Sequence, residues 1–315
     1  MTDRNATSTP HCLVTGGAGF IGSHTVDALL ARGARVTVLD DLSSGHRANL
    51  PASATFHEGS ILDGDALARA VSDVDAVVHL AAEVSVAASV DDPAACHARN
   101  VEGTARVLEA ARHAGVRRVV FASSCAVYGA APALPSVERD PVLPASPYAA
   151  TKAAGEALVA AYGRTYELDT MCFRYFNVFG PRQDPNSAYA AVIAAFSDAI
   201  HAGRAPVIFG DGTQSRDFVP VEMVAWCNAE AALRPDRFDG AIVNLGTGVG
   251  TSLRGLLDAM TAFTTRSIET TFAAPRAGDV PHSRADITAL EQWFSARPRR
   301  TLHDGLTALM RPLPA

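Results

Sequence analysis

Cys12-Leu13-Val14-Thr15-Gly16-Gly17-Ala18-Gly19-Phe20-Ile21-Gly22 is the stretch that decides the fold. Its first four residues read as a buried strand, and an amphipathic helical pattern occupies 22–32. Between them, glycines allow a tight turn and close approach of backbone to a pyrophosphate. The helix start adds free N–H groups and a partial positive charge. Gly16, Gly19, Phe20, Ile21 and Gly22 therefore form a candidate dinucleotide cradle. Asp40 ends the next strand candidate, about 20 residues on, where a carboxylate hydrogen-bonds a ribose diol. That charge repels a 2′-phosphate, which favours NAD over NADP. An ordinary glycine turn and a plain surface aspartate are the alternatives. The order strand, turn, helix, strand, acid weighs against both.

Outward from this unit, short β-branched runs alternate with alanine-rich helical stretches. Strand candidates are 12–15, 35–39, 76–79, 118–123 and 171–174; helix candidates are 22–32, 65–71, 100–114 and 147–166. This alternation implies an α/β fold, a Rossmann-type doubly wound parallel sheet with ligands at the C-terminal strand ends. After about 177 the texture changes to loops at 180–186, 210–212, 246–250 and 275–281. The expected organisation is an NAD-binding domain over 1–176 and a smaller substrate-binding lobe over 177–315. Segments from about 211–250 are expected to return to the first domain.

The second decisive segment is Tyr148-Ala149-Ala150-Thr151-Lys152, led in by Ser146-Pro147, a good helix start. Four residues apart, the phenol and the amine share one helix face. A free phenol, with a pKa of about 10, is a poor base at neutral pH. A lysine cation and an oxidised nicotinamide both favour the phenolate. Ser123-Ser124 end the strand candidate before this helix, and Ser124 is placed to hold a sugar oxygen against the phenol. That set suits removal of a hydroxyl proton while hydride leaves the same carbon. A half-buried tyrosine beside a surface lysine is the plain alternative.

Composition narrows the partners. The chain has 315 residues, 48% hydrophobic and 19% charged, with net charge −6. No basic stripe stands out, which disfavours nucleic acid, and the acidic balance disfavours an anionic membrane. Cys12, Cys96, Cys125, Cys172 and Cys227 are scattered, with no C-x-x-C, so reduced cytoplasmic usage is expected and a zinc site is not. Met1 to Pro10 is polar and shows no signal peptide, and no apolar run reaches the roughly 18 residues of a membrane span.

Taken together these residues resemble the extended short-chain dehydrogenase/reductase family, in particular its nucleotide-sugar epimerases and dehydratases. The motifs are the glycine cradle, His79-Leu80-Ala81-Ala82, Asn100 in Arg-Asn-Val-Glu-Gly-Thr, Ser123 to Gly129, Tyr148/Lys152, and Arg174-Tyr175-Phe176-Asn177. Stretches at 182–193, 210–218 and 276–283 are similar to UDP-hexose 4-epimerases, especially those acting on N-acetylated sugars. The resemblance implies Ser124, Tyr148 and Lys152 as catalytic residues. It implies that Ser60, Ile61, Leu80, Ala81, Ala82, Asn100, Ser123 and Tyr175 join the cradle and Asp40 around NAD. For the substrate it implies Ser85, Ser124, Asn177, Tyr189, Val192, Phe209, Arg216, Arg276, Asp279 and Ser283. Of these, Asn177, Arg216 and Arg276 would meet the UDP diphosphate and Asp279 the uridine ribose. Surface ion pairs, Arg216–Asp217 and Arg276–Asp279, are the alternative reading. A homodimer through helices near 100–114 and 149–166 is also implied.

Three departures matter. Where related 4,6-dehydratases carry an Asp-Glu pair, this chain has Cys125 and Ala126, which argues for epimerisation. Glu83 resembles the dehydratase form of its loop, and is either a carboxylate in the site or a polar loop residue. Ser60 stands where the family usually has aspartate on the adenine amine. Ser283 falls at the position that sets room at sugar carbon 2, and its small size suits an N-acetyl group. The expected activity is NAD-dependent inversion of C4 of a UDP-hexose through a 4-keto sugar. The alternatives are a dehydratase or an epimerase of a modified sugar, and a non-catalytic NAD-binding protein.

Overall fold

A computed structural model describes residues 9–129, 133–184, 192–264, 268–275 and 280–310. Its strands are β1 (His11–Thr15), β2 (Arg35–Asp40), β3 (Thr55–Glu58), β4 (Ala76–His79), β5 (Arg118–Ser124) and β6 (Asp169–Tyr175), followed by β7 (Asn177–Phe179), β8 (Val207–Phe209), β9 (Ser215–Pro220), β10 (Ala241–Leu245), β11 (Gly250–Ser252) and β12 (Thr271–Ala273). The helices are α1 (Phe20–Leu30), α2 (Gly64–Ala70), α3 (Val86–Asp91), α4 (Pro93–His97), α5 (Gly103–His113) and α6 (Pro147–Tyr166), then α7 (Val192–His201), α8 (Val221–Leu233), α9 (Leu253–Thr261), α10 (Thr288–Trp293) and α11 (Leu302–Met310).

Seven parallel strands run in the order β10-β6-β5-β4-β1-β2-β3. Their near-continuous apolar sequences suit a sheet covered on both faces. Leu13, Val77, Val119 and Phe121 pack with Leu67, Val107, Leu108 and Val159 of α2, α5 and α6. Cys12, Val14, Val78 and Val120 pack with Val26 and Leu29 of α1 and Val224 and Cys227 of α8. The strand order reverses between β1 and β4, which opens a crevice above Thr15 and His79.

The later chain splits between two places. α8, β10 and α10 return to the large sheet, while β11-β9-β7 and β12-β8 form two small sheets around a core with Phe179, Phe196, Phe218 and Leu256. The sequence patterns missed β3, whose Thr-Phe-His-Glu is half-exposed at the sheet edge and carries no apolar run. The helix expected over 100–114 is composite. α4 passes through a π-helical turn at Ala98–Glu102 before α5 begins, a defect typical of functional positions. Among the described residues no helix is long and apolar enough to cross a membrane.

Candidate active site

Gly16 follows β1 with φ +68, and a Cβ there would press on Ala81 N at 2.7 Å. A Cβ on Gly22 would strike Gly16 O. Only glycine therefore lets the turn, the start of α1 and the loop after β4 lie against one another. Gly19 caps α1 without any side-chain bond, so the helix start remains turned to the crevice. Asp40 is nearly buried and closes the turn from the side. Its Oδ2 accepts from Ala18 N at 2.9 Å and its Oδ1 from Leu42 N at 2.8 Å. Burial pushes its carboxyl above the usual range against those bonds. The plain surface-aspartate reading therefore fails.

The crevice floor is a closed polar chain that sequence reasoning missed. Thr104 Oγ1 donates to Asn100 O at 2.5 Å, so it must accept from His79 Nε2, 3.0 Å away. His79 Nδ1 then accepts from Thr15 Oγ1 at 2.7 Å, and Thr15 Oγ1 accepts from Ala81 N at 3.3 Å. This bonding assigns a neutral imidazole. Burial gives the same answer, lowering the His79 pKa to about 3.

Asn100, carried on the π-helical turn, clamps the loop after β4. Its Oδ1 accepts from Glu83 N at 2.7 Å, and its Nδ2 donates to Glu83 O at 2.9 Å and Thr151 Oγ1 at 2.9 Å. Glu83 itself pairs with Arg99 at 3.0 Å and accepts from Ser85 N at 3.0 Å. Of its two readings, this geometry is that of a polar loop residue. Ser85 caps α3 through Ala88 N, and Ser89 of that helix accepts from Tyr148 N at 3.0 Å.

At the end of β5, Ser124 Oγ accepts from Ala126 N at 3.1 Å and stands near the Tyr148 phenol, whose pKa it lowers. Ser146 caps α6 and so fixes the turn carrying Tyr148. Lys152 is buried, donates to Ala122 O at 2.9 Å and lies 5.9 Å from the Tyr148 ring. Burial lowers the lysine to about 8 and raises the phenol to about 12, with Ser124 opposing the latter shift. The expected depression of the phenol by Lys152 is not produced by the protein alone. Desolvation wins, and Nζ is turned to a backbone carbonyl. Cys125 is half-buried next to Ser124, and burial raises its thiol to about 11, with the nearby Ser283 hydroxyl opposing the shift. It is neutral at physiological pH.

In the small lobe, Arg216 on β9 donates to Ser215 O at 2.8 Å and Pro281 O at 3.3 Å. Ser283 N donates to Ser215 O at 3.0 Å, which binds the arm holding Ser283 to β9. Asn177 Nδ2 donates to Asp217 O at 3.4 Å. Asp217 is fully buried and accepts from Thr247 N, Thr247 Oγ1, Gly248 N and Ala285 N, so it is not half of a surface ion pair with Arg216. Beside this cluster lies a cavity of about 690 Å³ bordered by Gln214, Arg254, Phe272 and His282. Phe209 ends β8 next to it, its carbonyl accepting from Gln214 Nε2 at 2.5 Å, and Val192 opens α7. Tyr189, Arg276 and Asp279 lie outside the described residues.

A model of the NAD dependent epimerase/dehydratase family matches residues 12–246. The chain is 45% identical over 301 residues to the UDP-glucose 4-epimerase of Mycolicibacterium smegmatis, covering 93% of this chain and 95% of that one. The UDP-N-acetylglucosamine 4-epimerase of Methanobrevibacter ruminantium, solved with UDP-N-acetylmuramic acid, superposes with a TM-score of 0.91 at 38% identity. That match covers 97% of this chain and 98% of the other. The UDP-glucose 4-epimerase of Thermus thermophilus, solved with NAD, gives 0.88 at 38% identity over 95% and 97% of the two chains.

The chain belongs to the NAD-dependent epimerase/dehydratase family. It is an NAD-dependent epimerase, hence an isomerase, on the extended short-chain dehydrogenase/reductase fold. The site fits the cofactor on its own terms. The glycine turn leaves room where any Cβ would intrude, the α1 start has no side-chain cap, and a buried carboxylate stands at the end of β2. Other expected cofactor residues have their side chains engaged within the protein. Ser60 Oγ accepts from Leu62 N at 3.2 Å, and Ile61 packs on Gly103. Ser123 donates to Glu156 at 2.5 Å, and Tyr175 donates to Asn228 at 2.7 Å inside the core. Phe20 packs edge-on to His24, Ile21 joins the α1 face of the core, and Leu80, Ala81 and Ala82 line the clamped loop.

Proposed function

We propose that this family member is a UDP-hexose 4-epimerase that interconverts UDP-GlcNAc and UDP-GalNAc, with UDP-Glc and UDP-Gal as a second pair. The observation that carries the reading is the placement of Ser124 near the Tyr148 phenol, whose pKa it lowers, with Lys152 one turn along and Cys125 and Ala126 next to Ser124. Tyr148 is the base for the 4-hydroxyl proton and Ser124 orients the 4-oxygen. Bound NAD supplies the hydride acceptor and, on return, the donor. Lys152 contributes positive charge beside the phenol and holds the cofactor ribose. Tyr148 gives its proton back when the 4-keto sugar has turned over, so no net redox change remains. Elimination of water asks for a second acid and base. Ala126 cannot move a proton, and a thiol near 11 is a weak acid.

The nucleotide end stays fixed while the sugar swings. Asn177, Arg216 and Arg276 take the diphosphate, since guanidinium groups clamp phosphate in two places. Asp279 takes the uridine ribose. Ser85, Tyr189, Val192 and Phe209 complete the walls, and Ser283 leaves space at carbon 2. Asp40 and the glycine cradle bind NAD, with Ser60, Ile61, Leu80, Ala81, Ala82, Asn100, Ser123 and Tyr175 forming the rest of its surround. The working unit is a cytoplasmic homodimer joined through α5 and α6.

UDP-GlcNAc incubated with the purified protein and no added cofactor tests this reading by mass spectrometry and proton NMR. The expected result is unchanged mass with a new galacto-type anomeric pattern. Loss of water from the product would replace epimerisation by dehydration and send the chemistry to Cys125. Turnover of UDP-glucose but not UDP-GlcNAc would overturn the role given to Ser283.

A further inference from the structure

The helix that carries Tyr148 and Lys152 places a third functional group on the same face. Glu156 follows Lys152 by four residues, the spacing that already aligns Lys152 with Tyr148. It is 6% exposed, and the chemistry above does not use it. Its Oε1 accepts from Ser123 Oγ at 2.5 Å and from Arg174 Nε at 2.8 Å. Its Oε2 accepts from Arg174 Nη2 at 2.7 Å. One carboxylate thus joins α6 to the ends of β5 and β6 at Ser123, the residue before Ser124.

The connection continues across the sheet. Arg174 donates through Nη1 to Glu138 O at 3.0 Å and lies over the Tyr128 ring at 4.7 Å. Tyr128 donates to Asn244 Oδ1 at 2.6 Å, and Asn244 donates to Ser136 O at 2.9 Å and, through its main chain, to Glu138 Oε1 at 2.8 Å. Ser136 is bridged to the arm that holds Ser283, with Ser136 N donating to Arg284 O at 2.9 Å and Asp286 N to Ser136 O at 2.8 Å. A single buried network therefore spans the catalytic strand end and the substrate arm.

We propose that Glu156 is a positioning residue for the epimerase reaction. It sets the height of the β5 end so that Ser124 meets the Tyr148 phenol, and it extends that constraint through Arg174 toward the arm bearing Ser283. The inference rests on the 4-oxidation chemistry of the reading above. A buried ion pair alone gives weak stabilisation and is often replaceable by apolar residues of similar volume. The additional bond to Ser123 is different. It is charge-assisted and fixes a strand relative to a helix at the reacting centre, where an ångström of slack removes about a hundredfold in rate.

Two variants separate positioning from packing. Ser123→Ala deletes one hydroxyl and leaves the Glu156–Arg174 pair intact. Glu156→Leu with Arg174→Met removes both charges together and strands neither. Steady-state kcat and KM, cofactor retained through gel filtration, the thermal midpoint, and the first-turnover absorbance rise of reduced nicotinamide are measured on each. The expected result is kcat lower by about tenfold in Ser123→Ala and about a hundredfold in the double variant. KM stays within about twofold, cofactor is retained, and the double variant melts at or above wild type. A double variant that turns over at the wild-type rate overturns the inference. So does a rate loss matched by lost cofactor and a lower midpoint, which marks a structural pair. The absorbance rise reports C4 oxidation whatever product follows. A wild-type protein without it fails the parent reading, whereas a wild-type rise matched by both variants fails this inference alone.

Discussion

The two ends of the site rest on different scaffolds. At the cofactor end, Gly16, Asp40, His79, Ser124, Tyr148 and Lys152 stand on strand ends and helix starts of the seven-stranded sheet, between two apolar cores. At the proposed nucleotide end, Arg216 and Ser283 stand on a three-residue-wide patch of short pairing and on an arm attached by main-chain bonds to Ser215. Rigid elements hold reacting atoms to within fractions of an ångström, and loops carry recognition. Substitutions at the first end should therefore act on kcat, and those at the second on KM.

The largest expected effect is at Tyr148. Tyr148→Phe removes the proposed proton acceptor and leaves the ring to pack on Lys152. Turnover should fall by about a thousandfold or more, with NAD still bound and KM little changed. Near-normal turnover would break the comparison at its strongest point. Arg216→Met is the counterpart at the other end. It removes one of the charged clamps proposed for the diphosphate and should raise KM for the UDP-sugar by about ten- to a hundredfold, with kcat nearly intact. An equal loss in kcat would mean that the nucleotide end also shapes the reacting geometry.

Legibility in the sequence divides along the same line. The glycine cradle, five strands of the large sheet and α6 were readable because each is local, periodic and sharply punctuated. Pro147 and Tyr166 bound α6 where Ser146-Pro147 and the apolar pattern place them. β3 was not readable because it is a polar edge strand, and β10 because its pairing to β6 is decided about 70 residues away in sequence, where no local pattern points. Tyr148 and Lys152 were readable as one helix face by their spacing, and Ser124 as the end of a strand. Glu156 had the same spacing signal, yet its meaning depends on Ser123 and Arg174, 33 and 18 residues distant. His79 and Thr104 were invisible as partners for the same reason. A surface ion pair of Arg216 with Asp217 stayed open as the alternative because a sequence does not show burial.

The smallest effect is the one that sharpens the comparison most, because it reads rigidity at the cofactor end without touching the chemistry. His79 is neutral when folded, its pKa lowered from 6.5 to about 3 by burial. Unfolded, it binds a proton below about 6.5. Between pH 6.5 and 3 the unfolded state therefore carries one proton more. Stability attributable to this site is fully present above 6.5 and is lost as the pH falls, by about 1 kcal/mol per pH unit. His79→Gln lacks the titration. It should melt lower than wild type at pH 7, because it disturbs the bonds to Thr15 and Thr104, and the gap between the two midpoints should narrow steadily on acidification. A gap that stays constant down to pH 4 would mean that the imidazole takes a proton in place, and that the crevice floor is looser than its bonding implies.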